Sequence, residues 1–230
     1  MVIGTGMIAK AFESYLDQDN FMIFASGVSD STHAPSGAFI REQELLTATI
    51  QLHPDKQLVY FSTCSIYDES LKDSAYLQHK KEMEALIRAL HKRFVIFRLS
   101  NPVGKTTNTS TLVNFFIKNI NQGLHFEAWS NASRNIIDID DMYTVCNDIL
   151  QTGSSKNETI NIANLENYSI PFIISAIENH LRKKGNYTLV NKGDSPDIPT
   201  EAVEPYFRKF HISFGADYLS AVLQKYFPAP

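Results

Sequence analysis

Apolar residues recur along this chain in two alternating rhythms. Short apolar runs at residues 21–25, 58–62 and 94–99 read as strands, and residues 1–3 as a strand stub. Between them, apolar positions fall at helical spacing. Met7, Ile8, Ala11, Phe12, Tyr15 and Leu16 mark a first helix, and residues 38–52 a second that Pro54 ends. A third runs from Tyr76 to about Leu90. Residues 29–37, with Pro35, read as a polar loop. This strand–helix alternation predicts an α/β protein with a layered parallel sheet.

The rhythm changes after Pro102. Residues 105–110 are rich in Thr and Asn and read as a loop. Helices are expected at 112–120, 142–150, 171–181 and 218–226, with strands or extended segments at 126–129, 135–139 and 159–162. Asp140 or Asp141 is suited to cap the helix that follows, and Pro171 fits a first helical turn. Residues 193–205 are acidic and Pro-bearing and read as a linker.

Candidate chemistry concentrates at the end of the third apolar run. Ser62-Thr63-Cys64-Ser65-Ile66-Tyr67 closes it with hydroxyls, and Tyr76 and Lys80 follow, four residues apart. On a helix that spacing places both on one face. At about 100° per residue, Met83, Leu86, Ile87 and Leu90 continue the same stripe, while Lys81 points away. His79 is expected to face solvent. A Lys on the buried side of a helix needs a partner, so Lys80 is the unusual residue of the pair. A phenol titrates near ~10 and is a poor acid or base at neutral pH, but a fixed ammonium lowers that value. With the Thr63 hydroxyl, the pair suffices to move a proton on and off a carbinol oxygen.

Gly4, Gly6 and Ala9 fit G-x-G-x-x-G/A between a strand and a helix. The first Gly allows the tight turn, the second lets a pyrophosphate approach, and the small third residue lets the helix pack on the sheet.

Bulk numbers narrow the field. The chain has 230 residues and a formal net charge of −4, with no basic run. Nucleic acid and anionic membrane surfaces are therefore not expected partners. No apolar run reaches the length of a membrane span, and structure is expected from residue 1 onward, with no signal peptide. Two distant cysteines, Cys64 and Cys146, fit reduced thiols in a cytoplasm. Residues 103–107 look like the end of a P-loop, but the Gly it requires five residues before Gly104 is Leu99. Asp138, Asp140 and Asp141 are better explained by strand alternation running into a helix cap than by a metal site.

In sequence order these motifs resemble the extended short-chain dehydrogenase/reductase family, in its NAD-dependent epimerase/dehydratase branch that acts on nucleotide sugars. The resemblance runs to about Ala163. It implies a Rossmann-like parallel sheet flanked by helices, residues 1–104 and 136–164, with a small substrate-binding part from 105–135 and 165–230. It puts Thr63, Tyr76 and Lys80 in the catalytic positions. Gly4, Gly6, Met7, Ile8, Ser26, Gly27, Val28, Ser62, Tyr76, Lys80 and Val103 would line an NAD or NADP site. Thr63, Cys64, Ser65, Asn101 and Arg134 would face the sugar nucleotide, Arg134 at its diphosphate. No metal is implied.

Two departures stand out. The family normally places two more strands and a helix between the first helix and the segment that begins at Phe21. That half carries the acidic residue for the adenosine ribose. The sheet is therefore expected to be reduced in its adenosine-binding half, with an edge that a second copy of the chain could cover. Family dehydratases also carry acidic residues directly after the catalytic Thr, where this chain has Cys64 and Ser65. Dehydration is disfavoured. An epimerase or oxidoreductase of a nucleotide sugar is expected, in surface polysaccharide synthesis. A nucleotide-linked keto-sugar reductase is the close alternative, and a noncatalytic dinucleotide-binding or scaffold protein the distant one.

Overall fold

A computed structural model describes residues 1–29, 36–153 and 156–228. Most of the loop expected at 29–37 lies outside the described residues. Five strands form an all-parallel sheet: β1 (Val2–Ile3), β2 (Phe21–Phe24), β3 (Gln57–Thr63), β4 (Phe94–Leu99) and, later in the chain, β8 (Glu158–Ile162). Their order is β1-β2-β3-β4-β8. The expected α/β class and reduced Rossmann-like sheet are borne out.

Strand alternation divides the core in two. Met22, Phe24, Leu58, Tyr60, Phe94 and Ile96 point to one face. There they meet Leu46 and Ile50 of α2 (Ser36–Leu52) and Met83 and Ile87 of α3 (Ala75–Leu90). Ile23, Val59, Phe61, Val95, Phe97 and Leu99 point to the other. That face packs on the segment of α1 (Met7–Ala11) with Phe12 and Tyr15, and on Met142, Val145 and Ile149 of α5 (Ile139–Thr152). One-residue alternation of this kind is what a strand covered on both sides requires.

The shortened first half leaves a topological mark. Strand order advances in one direction from β1 to β3, yet α1 lies on one face and α2 on the other. The two crossovers therefore have opposite hands, and one is left-handed, the rare sense for parallel strands. β1, only 2 residues long, forms the sheet edge.

A smaller layered part follows. β5 (Asn101–Val103) pairs parallel with β7 (Ser133–Asp138), which pairs antiparallel with β9 (Asn167–Ser169). β6 (His125–Trp129) pairs with β10 (Asn186–Val190). Helices α4 (Leu112–Gln122), α6 (Ile170–Leu181) and α8 (Ala216–Tyr226) pack around a second core that includes Phe116, Phe126, Ile174 and Leu223. Helix α7 (Glu204–Lys209) sends Phe207 into the main core. β5, β9, β10 and α7 escaped the sequence pattern because each is short and several contain Pro or polar residues.

The cap of α5 is Asp138 rather than Asp140 or Asp141. Its carboxylate accepts from Asp140 N at 2.8 Å. Lys225 bridges Asp138 and Asp140 at 2.7 and 2.8 Å, and Tyr218 donates to Asp141 at 2.7 Å. These carboxylates dock α8 onto α5. No helix among the described residues is long and apolar enough to cross a membrane.

Candidate active site

β3 alternation decides where its end points. Tyr60 and Ser62 face α2 and α3, and Thr63 closes the strand. The Thr63 side chain accepts from Ser65 N at 3.0 Å and so starts the short 3-10 turn Cys64–Tyr67. Ser74 caps α3 by accepting from Leu77 N at 3.2 Å, which fixes the phase of the helix. That phase buries Leu77, His79, Lys80, Met83, Glu84 and Ile87. Lys80 is 2% exposed and Lys81 lies in solvent, as expected. The buried stripe is rotated from the expected one, however, because Leu90 is 48% exposed.

His79 corrects the sequence reading. It is buried, stacked on Phe39 at 4.5 Å, and its Nε2 stands 3.0 Å from Glu42 Oε2. Glu42, on α2, is itself fully buried. It accepts from Lys80 Nζ at 3.0 Å, from the Tyr60 hydroxyl at 2.6 Å and from Val28 N at 2.6 Å. Burial works against its charge, but the donors from His79, Lys80, Tyr60 and Val28 prevail and hold its carboxyl down at about 2. Lys80 also donates to the Tyr60 hydroxyl at 3.1 Å.

Tyr76 is partly buried, with Lys80 Nζ 5.9 Å from its ring centroid. Its phenol is not lowered, as the bare Tyr–Lys pair had suggested. Desolvation pushes it up to about 12, an interaction with the Thr63 hydroxyl pulls it down, and the Glu42 charge raises it further. The Lys80 cation is spent on Glu42.

A second buried carboxylate sits one turn along α3. Glu84 accepts from Ser62 at 2.7 Å and pairs bidentately with Arg98 at 2.9 and 2.7 Å. Ser62, expected to touch the cofactor, is thus committed to Glu84. Cys64, expected on the substrate side, is also buried. It is 2% exposed, and its thiol donates to the Arg98 carbonyl at 3.1 Å. Ser65 stays partly exposed.

The glycine loop joins this centre through backbone contacts. Gly4 has φ of 126°, and a Cβ there would stand 2.3 Å from the Ala25 carbonyl oxygen. Gly27 lies directly over Lys80: a Cβ would come within 2.7 Å of Nζ. Arg41 holds the intervening Ser26 through its hydroxyl and carbonyl, each at 3.2 Å. Gly6 caps α1, and nothing lies within 4 Å of where its Cβ would be. Met7 and Ile8 pack on the main core, and Met7 approaches Gly104 beside Val103. A cavity of about 290 Å³ opens here. Thr5, Gly6, Met7 and Lys10 line one side, and Lys105, Thr106 and Thr107 the other. Lys10 gave no signal in the sequence beyond ordinary surface charge, and Lys105 stood only in the failed P-loop resemblance.

Asn101 donates to the Asn135 carbonyl at 2.7 Å and so braces β5 to β7. Arg134 lies 3.5 Å from Asp68 and donates to the Ser133 carbonyl at 2.7 Å. Tyr67 stands between Arg98 and Asn161 at 3.4 and 3.0 Å.

The sequence model of the NAD dependent epimerase/dehydratase family matches residues 5–163, more than half of the chain. The chain belongs to that family. The glycine loop from Thr5 onward, the Thr63–Tyr67 turn and the Tyr76–Lys80 helix fall inside the matched span, which ends where the motif resemblance ends. Among solved structures, the chain is similar to the dTDP-glucose 4,6-dehydratase of Bacillus anthracis in complex with NAD. That match has a TM-score of 0.68 at 16% identity and covers 95% of this chain and 76% of that one. The UDP-glucuronic acid 4-epimerase of Bacillus cereus in complex with NAD gives 0.68 at 19% identity, covering 94% and 78%. The UDP-N-acetylglucosamine 4-epimerase of Methanobrevibacter ruminantium, in complex with UDP-N-acetylmuramic acid, gives 0.68 at 16%, covering 94% and 77%. No curated protein matches the chain. At these identities the structures establish a shared epimerase/dehydratase fold, and the NAD-dependence belongs to the family as a whole.

Proposed function

We propose that this chain is an NAD-dependent enzyme that interconverts a hydroxyl and a ketone on a nucleotide-activated sugar, as an epimerase or oxidoreductase. One observation carries the reading. Close contacts run without a break from Gly4 through Ala25 and Gly27 to Lys80, beside Tyr76 and Thr63 at the carboxyl end of β3. Ligands of open parallel sheets bind at that end.

The residues present fit the phosphates and nicotinamide end of NAD. Gly6, Lys10 and Lys105 line a cavity suited to a diphosphate, and the Gly4 turn leads through Ala25 to Gly27, which packs on Lys80. Among the described residues the strands that ordinarily carry the adenosine are absent, so the phosphates bear more of the binding. Bound NAD supplies the hydride acceptor and donor. Tyr76 gives a proton to the sugar oxygen or takes one from it. Thr63 orients that oxygen, and Lys80 holds the nicotinamide ribose. Arg134 pairs with the substrate diphosphate once it leaves Asp68, and Ser65 lines the sugar side. Residues 1–104 and 136–164 form the cofactor part, and 105–135 and 165–230 the sugar part. A place in surface polysaccharide synthesis suits this substrate class.

Keto-sugar reduction, with NADH or NADPH, would use the same residues, Tyr76 giving its proton to the carbonyl oxygen as hydride reaches the carbon.

Incubation with NAD and UDP- or dTDP-hexoses, followed by NMR of the sugar, tests the proposal. Tyr76→Phe should lower turnover by about 100-fold or more. NAD binding, measured by calorimetry, should survive. Equal rates in both proteins would remove Tyr76 from the chemistry. Absence of any NAD affinity in the native chain would favour the scaffold reading.

A further inference from the structure

Glu42 stands outside every motif of the chain, yet four donors from three elements converge on it. Val28 N comes from the segment after β2, the Tyr60 hydroxyl from β3, and His79 and Lys80 from α3. Its carboxylate is fully buried, and so is the ammonium it holds. A buried ion pair in which every oxygen is met by donors resists disruption, because removing one partner strands the other.

The pair is also wedged against the cofactor side. A Cβ on Gly27 would meet Lys80 Nζ at 2.7 Å and Glu42 Oε1 at 3.0 Å. The Gly27 backbone therefore rests on both charges. Among the described residues, the titratable groups that face the cluster are Tyr60 of β3 and Tyr76, His79, Lys80 and Glu84 of α3. Arg41, beside Glu42 in sequence, is turned to Ser26. Glu84 is already matched by Arg98 and Arg88. Glu42 is thus the carboxylate that offsets Lys80.

We propose that Glu42 is a positioning residue of this site: it carries the counter-charge of Lys80 and locks the ammonium between Tyr60 and Gly27, so that Tyr76 faces a neutralised pair rather than a bare cation. The role of Tyr76 rests on the proposed function; the Glu42–Lys80–Tyr76 coupling does not.

Spectrophotometric titration of tyrosine in the cofactor-free protein tests the coupling without any turnover. The Tyr76 signal is the one lost in Tyr76→Phe. Glu42→Gln should move that signal to lower pH by about one unit or more, since it uncovers the Lys80 charge. Glu42→Gln/Lys80→Met removes both charges, spares the fold an unpaired cation, and should return the signal toward its native position. A Tyr76 titration that is the same in native protein and Glu42→Gln, or that stays shifted in the double variant, overturns the proposal. In active protein the pH–rate profile of Glu42→Gln should shift in the same direction as the titration. A shifted titration in a protein that turns over no nucleotide sugar would fail the proposed function and leave the Glu42 coupling standing. Turnover with an unshifted titration would do the reverse.

Discussion

Arg134 Nη1 stands 3.5 Å from Asp68 Oδ2, and the carboxylate of that pair is almost entirely buried. Asp68 also accepts from Ser70 N at 3.0 Å and so begins a 3-10 turn just after the strand-end hydroxyls. The cation expected at the substrate diphosphate is therefore held by a carboxylate of the loop that follows β3. A diphosphate that recruits Arg134 has to compete with Asp68.

Asp68→Asn keeps the turn's acceptor and removes the competing charge. It should lower the nucleotide-sugar KM several-fold with kcat nearly unchanged. Arg134→Ala should raise KM by about tenfold or more, the scale of a lost charge-assisted hydrogen bond of ~1.5–3 kcal/mol. Steady-state kinetics over a substrate series checks both. Identical KM values in the two variants would place the diphosphate elsewhere.

Gly4 and Gly6 should behave differently. Gly4 has positive φ and no room for a Cβ against Ala25, whereas Gly6 has open space. Gly4→Ala should destabilise the free protein by about 1–3 kcal/mol. Gly6→Ala should leave its melting temperature nearly unchanged and weaken NAD binding, because the new methyl occupies the approach to the phosphates. Thermal unfolding with and without NAD separates the two effects.

The buried carboxylates set an acid limit. Glu42 lies at about 2, and the Arg98, Ser62 and Arg88 donors overcome burial to lower Glu84. Both fall below the ~4.3 of an unfolded Glu. Their stabilisation is therefore complete above about pH 5 and drains away as pH falls through 4 toward 2. Urea midpoints measured across that range should fall steeply. Arg98→Met leaves Glu84 with Ser62 and the more exposed Arg88 alone; it should lower stability near neutral pH by about 1–3 kcal/mol and flatten the acid dependence.

Neither cysteine should react in the native state. Burial pushes the Cys64 thiol up to about 12 against the pull of Arg98, and drives Cys146 well above its ordinary value. The thiolate is the reactive form. Iodoacetamide at about pH 8 should label both only after unfolding, as mass spectrometry can show. Rapid labelling of Cys64 in folded protein would reopen it as a substrate contact.

Much of the fold was legible because it depends on short-range spacing. Phe21–Phe24, Gln57–Thr63 and Phe94–Leu99 follow directly from apolar runs, and Gly4, Gly6 and Ala9 mark a turn that backbone sterics restrict. β5, with Pro102, and the three-residue β9 were invisible because neither carries enough pattern to rise above a loop. His79 was misplaced for a related reason. Helical phase placed it off the apolar stripe, but α2 covers that flank, so Phe39 and Glu42 enclose it.

The sequence by itself determined the order of motifs, the family they mark, and the face of α3 that carries Tyr76 and Lys80. Each is set by dihedral periodicity over a few residues. Only the tertiary structure decided which charges those side chains meet. Glu42 and Lys80 are 38 residues apart, and Arg134 and Asp68 are also distant in sequence. A buried cation requires a partner, but nothing in local spacing names which carboxylate the packing of two helices on one sheet will bring within 3.0 Å.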